Sequence, residues 1–199
     1  ATLGALHDND FSSQLTSFFN GFSTLANDPT NAGQRAVVIQ NGTTIAGYLQ
    51  QLRSQVSTIG SDVDAQIKSQ AQQADGLVKQ IAGLNEQIAS VGPQANALMD
   101  QRDQALTQLS QLMDIKVVDQ GGGNLNVLVG GMPVVQGGTT RGVTTSSTSD
   151  ASGNLVTSVH FGDNGDTINV STGTLGALMT AQTQYVAPAV GQIDAMAAG

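Results

Sequence analysis

Cysteine and tryptophan are absent from the 199 residues, tyrosine occurs twice and proline four times. Without cysteine there is no disulfide, no thiolate metal site and no cysteine nucleophile. Charge is scarce as well: 11% of the residues are charged, against about 25% in an ordinary globular domain. Seven Lys and Arg face fifteen Asp and Glu, for a net charge of −8. That balance cannot easily build the basic face that a phosphate backbone needs, which argues against nucleic acid as a partner. No apolar run approaches the roughly 20 residues of a membrane span, so no membrane insertion is expected. The stretch Ala1–Asp10 has neither the basic region nor the apolar run of a signal peptide. The chain opens without Met and stops inside the helical pattern of Val190–Gly199. It is therefore expected to be a fragment cut at both ends. Gln, Ser, Thr, Asn and Gly take the place of the charges. The resulting surface is soluble but weakly repulsive, which suits a subunit that packs beside copies and partners. A chain of this length buries about 70% of its unfolded surface, enough for a core without staples.

The first apolar residues are Phe11, Leu15, Phe18, Phe19, Phe22 and Leu25, spaced as the wide stripe of an amphipathic helix over Asn9–Ala26. Aromatics at this spacing are expected in the core. Asn27-Asp28-Pro29-Thr30 stops the helix, and Asp28 or Thr30 can cap the next one. From Asn31 to Val91 the seam reads Ile45, Leu49, Leu52, Val56, Ile59, Val63, Ile67, Ala71, Ala74, Val78, Ile81, Leu84, Ile88. Steps of four and three alternate as a heptad demands, with a stutter of consecutive fours from Ile59 to Ala71. Unbroken, such a helix is roughly 90 Å long at 1.5 Å per residue. Asn41-Gly42 is the expected place for a bend. Gly92 and Pro93 end the rod, and a third helix over Gln94–Met113 runs back along it.

At Asp114 the period changes to that of strands. Ile115–Asp119, Asn124–Val129, Met132–Val135, Gly142–Thr145, Leu155–Phe161 and Thr167–Ser171 are predicted strands, punctuated by glycine-rich turns and the Ser149–Gly153 stretch. Asn164-Gly165 reads as a type I′ hairpin turn. Helical pattern returns from Leu175 to Met196, capped by Thr172 or Thr174, with a kink or restart near Val186 ahead of Pro188.

Catalytic chemistry is thin. His7 and His160 are not spaced as metal ligands, and no metal or cofactor site is expected. Gly162–Asp166 superficially resembles a calcium loop but lacks the ligand ladder and terminal Glu of an EF-hand. The glycine pairs and triplet are followed by no Gly-Lys-Ser/Thr, so they are not phosphate loops. Asp100 and Asp103, with Arg102 between them, are a carboxylate pair of the kind used in acid–base work. On an exposed helix such a pair is solvated or in weak ion pairs. No catalytic, cofactor-binding or metal residue is assigned.

The run Leu15–Thr30 (LTSFFNGFSTLANDPT), Arg35 and the rod, then Ala97–Leu112 (ALMDQRDQALTQLSQL) leading into Ile115–Val118, then Gly173–Leu178 (GTLGAL) resemble, in the same order, the family of flagellar hook-associated protein 1. Leu98–Asp103 is the most specific part; the first run is shared in looser form by flagellin-like relatives. The resemblance implies a non-enzymatic structural subunit joining hook to filament. It also implies export without a cleaved signal peptide by the flagellar type III apparatus, and an extracellular location. Implied partners are the hook protein, hook-associated protein 3, an export chaperone acting through a C-terminal segment not in this sequence, and copies of the full-length subunit in a junction ring. Leu98–Asp103 carries over as a structural signature only. Alternative readings are a related axial protein (hook-associated protein 3 or a flagellin) or a secreted adhesin-like module on a helical stalk. The expected fold class is α+β: an elongated helical bundle with long coiled-coil-like helices and an inserted antiparallel β domain. Residues 1–113 with 172–199 are expected to form a discontinuous helical domain, and 114–171 the inserted β domain. Because the family's polymerising termini are absent and the surface is acidic, the fragment is expected to be a monomer.

Overall fold

The computed structural model describes residues 8–92, 94–150 and 153–198. His7 and Pro93 lie outside the described residues, as do Ala151 and Ser152 of the Ser149–Gly153 turn. Among the described residues three helices come first: α1 (Asp8–Asn27), α2 (Ala32–Val91) and α3 (Asn96–Leu112). Six strands follow: β1 (Ile115–Gly121), β2 (Asn124–Val129), β3 (Met132–Gln136), β4 (Thr139–Thr140), β5 (Val143–Ser149) and β6 (Leu155–Phe161). Helix α4 (Gly173–Ala181) runs through a π-helical turn, Gln182–Val186, into α5 (Ala187–Ala198). The fold is α+β, with one long helix and an inserted antiparallel β region, as the change of period at Asp114 predicts. The chain divides into two compact units: residues up to Ser57 with those from Ala189 onward, and Thr58–Pro188.

Helix α2 holds its hydrogen bonding over 60 residues, passing without interruption through Asn41 and Gly42, where a bend is expected. The seam is the reason the helix survives its glycines, since every seam residue from Ile45 to Ile88 is buried or half-buried. Packing of the amphipathic face outweighs the roughly 1 kcal/mol that each interior glycine costs. The cap of α2 is Asn31, not Asp28 or Thr30: its Oδ1 accepts the Gln34 N–H at 3.1 Å. Asp28 instead accepts the Thr30 hydroxyl, and Arg35 donates to the Pro29 carbonyl, so this polar set shapes the loop rather than the helix end.

In the larger unit, β1–β4 form an antiparallel four-stranded meander and β5–β6 a separate hairpin. Pro133 stands opposite Leu128 where the β2–β3 register slips, a position that tolerates a missing N–H. Val127, Val129, Val134 and Val135 of the meander, Phe161 of β6 and Ile168 share one core with Ile67, Val78 and Ile81 of α2, Leu109 of α3 and Leu175 of α4. Helix–strand boundaries therefore fall near Asp114 and Thr172, while the core continues across them.

One strand expectation and one turn expectation are corrected. Thr167–Ser171 is no strand: a single bridge joins Thr167 to His160, and the Ile168 N–H bonds the Val159 carbonyl. Beyond it, Asp114 captures the Ser171 and Thr172 N–H groups at 2.9 and 3.3 Å, drawing the chain away from β6. Nor is Asn164-Gly165 a type I′ turn, which needs positive φ at both residues; Gly165 alone has it. The loop is wider because Arg141 holds Asp163 and Asn164 at 2.8 Å each.

Gly173 opens α4 at φ +77, and a Cβ there would lie 2.5 Å from the Leu112 carbonyl oxygen, so no other residue fits. Thr172 precedes α4 without a side-chain capping bond, and Thr174 donates instead to the Gln111 carbonyl. Ahead of Pro188 the restart near Val186 takes the form of the π turn. Proline has no N–H to give the preceding turn, so the hydrogen-bond register shifts there.

Candidate functional site: an apolar face on the small unit

Helix α1 carries no charged residue after Asp10. Phe11 stacks on Tyr48 of α2 with ring centroids 5.1 Å apart. Phe18 meets the edges of Phe19 and Phe22 at 5.6 and 5.0 Å. Small residues bring the two helices together: a Cβ on Gly42 would touch the Phe18 ring at 3.3 Å, and one on Gly21 would touch Val38 at 3.1 Å. Phe11, Phe18 and Leu25 are half-buried.

The rest of the stripe departs from expectation. Phe19 is 60% exposed and Phe22 49%, and Leu15, Ile39 and Met196 are exposed too. Three helices in a unit this small cannot cover a stripe that wide. Among the described residues its buried apolar side chains are Val38, Leu49, Val56, Val190 and Ile193. Beside the exposed rings lies an open groove of about 400 Å³, lined by Leu15, Phe18, Ile45, Leu49, Ile193 and Met196 among others. One wall carries the Arg53–Asp194 ion pair, N to O 2.6 Å; the Asp194 hydrogen bond and charge raise the Arg53 pKa. The arrangement offers apolar contact with a single charged edge. It has the chemistry of a helix-docking surface rather than of catalysis.

The residues weighed for chemistry lie elsewhere and are not brought together. Asp100 and Asp103 are exposed on α3, whereas Arg102 between them is buried. His160 sits on the hairpin, with Nε2 at 2.9 Å from both the Ser146 and Ser158 hydroxyls and Nδ1 at 2.8 Å from the Gly165 carbonyl. No carboxylate completes a triad there. In the Gly162–Asp166 loop, Arg141 spans Asp163 and Asp166 and stacks over the Phe161 ring at 3.7 Å. The loop's carboxylates thus face a guanidinium rather than converging on a cation. That hydrogen bond from Arg141 holds the Asp163 carboxyl below its ordinary value. No cluster of three His, Cys, Asp or Glu suits a metal among the described residues.

Sequence reasoning missed the buried polar residues Asp64, Asn85 and Gln182. Asp64 takes hydroxyls from Thr157 and, at 3.4 Å, Ser147, and pairs with Lys68 at 2.7 Å. Asp75 repeats the pairing with Lys79 at 2.7 Å and accepts the Val143 N–H at 2.9 Å. The Asp–Lys spacing of four was a visible signal for these two; no motif marks Asn85 or Gln182.

A family model for the flagellar hook-associated protein FlgK helical domain matches residues 1–199. Flagellar hook-associated protein 1 of Escherichia coli K12 is 27% identical over 190 residues, which cover 88% of this chain and 34% of that protein. Its counterpart in Bacillus subtilis 168 is 32% identical over 130 residues, covering 61% of this chain and 25% of that protein. Among solved structures, the flagellar hook junction protein FlgK from Burkholderia pseudomallei superposes with a TM-score of 0.81 at 32% identity, over 94% of this chain and 35% of that one. The chain thus spans about a quarter to a third of the length of these relatives. With the long heptad helix, the LMDQRD stretch, the inserted strands and the whole length matched, the chain belongs to the FlgK family of flagellar hook-associated proteins.

Proposed function

We propose that this chain is the helical segment of a non-enzymatic structural subunit at the junction between flagellar hook and filament, outside the cell and reached through the flagellar type III apparatus. Its partners in that reading are the hook protein on one side, hook-associated protein 3 on the other, neighbouring copies of the subunit, and an export chaperone that engages other parts of the full-length protein. Family membership supports the flagellar role. The observation that carries it at residue level is the uncharged, half-exposed aromatic face of α1 beside an apolar groove. By the size of its rings such a face exposes roughly a few hundred Å², short of the about 800 Å² per partner typical of a stable interface. The segment by itself therefore stays a monomer, and the face becomes an interface only where assembly adds further area.

Phe22→Cys in a full-length subunit places a thiol on the α1 face, in a stretch that has no cysteine of its own, for cross-linking in intact flagella with the unsubstituted subunit as control. The expected product joins the subunit to a flagellar axial protein, and Phe19→Ser with Phe22→Ser weakens motility. Flagella that swim normally with both serines, together with no cross-linked product, would overturn the reading.

A further inference from the structure

The residues of the LMDQRD stretch do something specific in the larger unit. Arg102 points inward from α3 and is 7% exposed; Asn85 faces it from α2 and is fully buried. None of the ion pairs among the described residues includes Arg102. Its Nη1 instead donates to Asn85 Oδ1 at 2.9 Å and to the Gly123 carbonyl at 2.5 Å. Asn85 Nδ2 donates to the carbonyls of Leu125 and Gly137, each at 2.8 Å. Gly123 lies in the β1–β2 turn, Leu125 is the second residue of β2, and Gly137 lies in the β3–β4 turn. The amide is uniquely suited to its place. A guanidinium only donates and a backbone carbonyl only accepts, so the residue between them must accept on one side and donate on the other. Gly123 can approach because it has no side chain: a Cβ there would lie 2.6 Å from Ile88.

We infer that Asn85 and Arg102 form a two-residue lock that fastens the two glycine turns of the four-stranded sheet to the α2–α3 pair, so that sheet and helices move as one body. The lock is conditional on burial. A cation held only by neutral acceptors keeps its place while all of them are in position, since releasing a turn strands a buried donor or carbonyl. This gives the most specific stretch of the sequence a physical role that involves no ligand.

Asn85→Asp tests it. The carboxylate still accepts from Arg102, so the helix pair stays bound, but it has no donor for Leu125 and Gly137. Native-state hydrogen exchange is expected to quicken in β2 and β3 by about ten- to a hundredfold, as one or two unsatisfied buried carbonyls imply, with the α2 and α3 amides unchanged. Arg102→Lys is read in the same way should Asn85→Asp fail to fold: its shorter, unforked ammonium keeps the charge but frees the Gly121–Gly123 turn, whose exchange quickens first. Exchange that leaves β2 and β3 at the native rate, or that rises equally in strands and helices, overturns the lock.

Discussion

Phe18 and Phe22 show how one helical stripe separates into two kinds of residue. Phe18 closes on Gly42, whereas Phe22 leaves 49% of its surface in water. Phe18→Ala is expected to cost about 2–3 kcal/mol and Phe22→Ala about 1 kcal/mol or less, scaled from the loss on truncating a fully buried ring. Urea denaturation of the two variants measures the difference, and equal losses would mean that Phe22 is as buried as Phe18. Asp114 sets a pH response. Burial opposes its charge, but the Ser171 and Thr172 N–H groups and the Ser171 hydroxyl outweigh that and hold the carboxyl below the ordinary 3.8. A carboxyl lowered on folding stabilises above its unfolded pKa, and the stabilisation is lost as pH falls through the folded value. Asp114→Asn is therefore expected to be less stable than the native chain at neutral pH. Its loss of stability between about pH 5 and 2 is expected to be shallower. Denaturation midpoints across that range check the slope, and parallel curves would remove Asp114 from the account.

Among elements, β6 illustrates how an edge strand is managed. Its partner β5 covers one side. On the other side the Phe161 N–H bonds the Asp166 carbonyl and the Val159 carbonyl accepts the Ile168 N–H. At the far end Gln182 finishes the edge: Oε1 accepts the Thr157 N–H at 3.0 Å and Nε2 reaches the Leu155 carbonyl at 3.4 Å. Gln182 is the first residue of the π turn, so the shift of register ahead of Pro188 coincides with the residue that reaches the strand. Gln182→Ala leaves the Thr157 N–H buried and unpaired, and is expected to cost about 1–3 kcal/mol. The Thr157 amide then exchanges faster than those of Ser158 and His160, which face β5. Unchanged Thr157 exchange would show that the glutamine contact adds nothing. The heptad seam was legible from spacing, since burial follows it residue by residue. The π turn was legible only as a disturbance near Val186, because its geometry depends on the strand that Gln182 meets.

For the whole molecule, the shared core decides what can stand alone. Val127, Val129, Phe161 and Ile168 cover the same apolar faces of α2, α3 and α4 that pack around Ile67, Ile81, Leu109 and Leu175. Replacing residues 114–171 by a short linker is therefore expected to abolish the cooperative unfolding of the Thr58–Pro188 unit. Calorimetry reads this directly, and a sharp transition at the native temperature would show that the helices keep a sufficient core without the strands. The small unit is poorer in buried apolar side chains than the large one, and its uncovered aromatic face follows from that shortage.

The order of helices and strands, the seam of α2, the change of period at Asp114 and the family were written in the sequence, because each rests on local spacing or on a contiguous motif. Three things were settled by tertiary structure alone. Partition of the α1 stripe into half-buried and exposed rings depends on how many neighbouring helices there are to cover it. The loss of a strand at Thr167–Ser171 depends on Asp114, which is distant along the chain and adjacent in space. The inward turn of Arg102, between two aspartates that stay in water, depends on an asparagine of another helix and on three backbone carbonyls. A carbonyl has no residue identity, so no pattern of side chains could announce it.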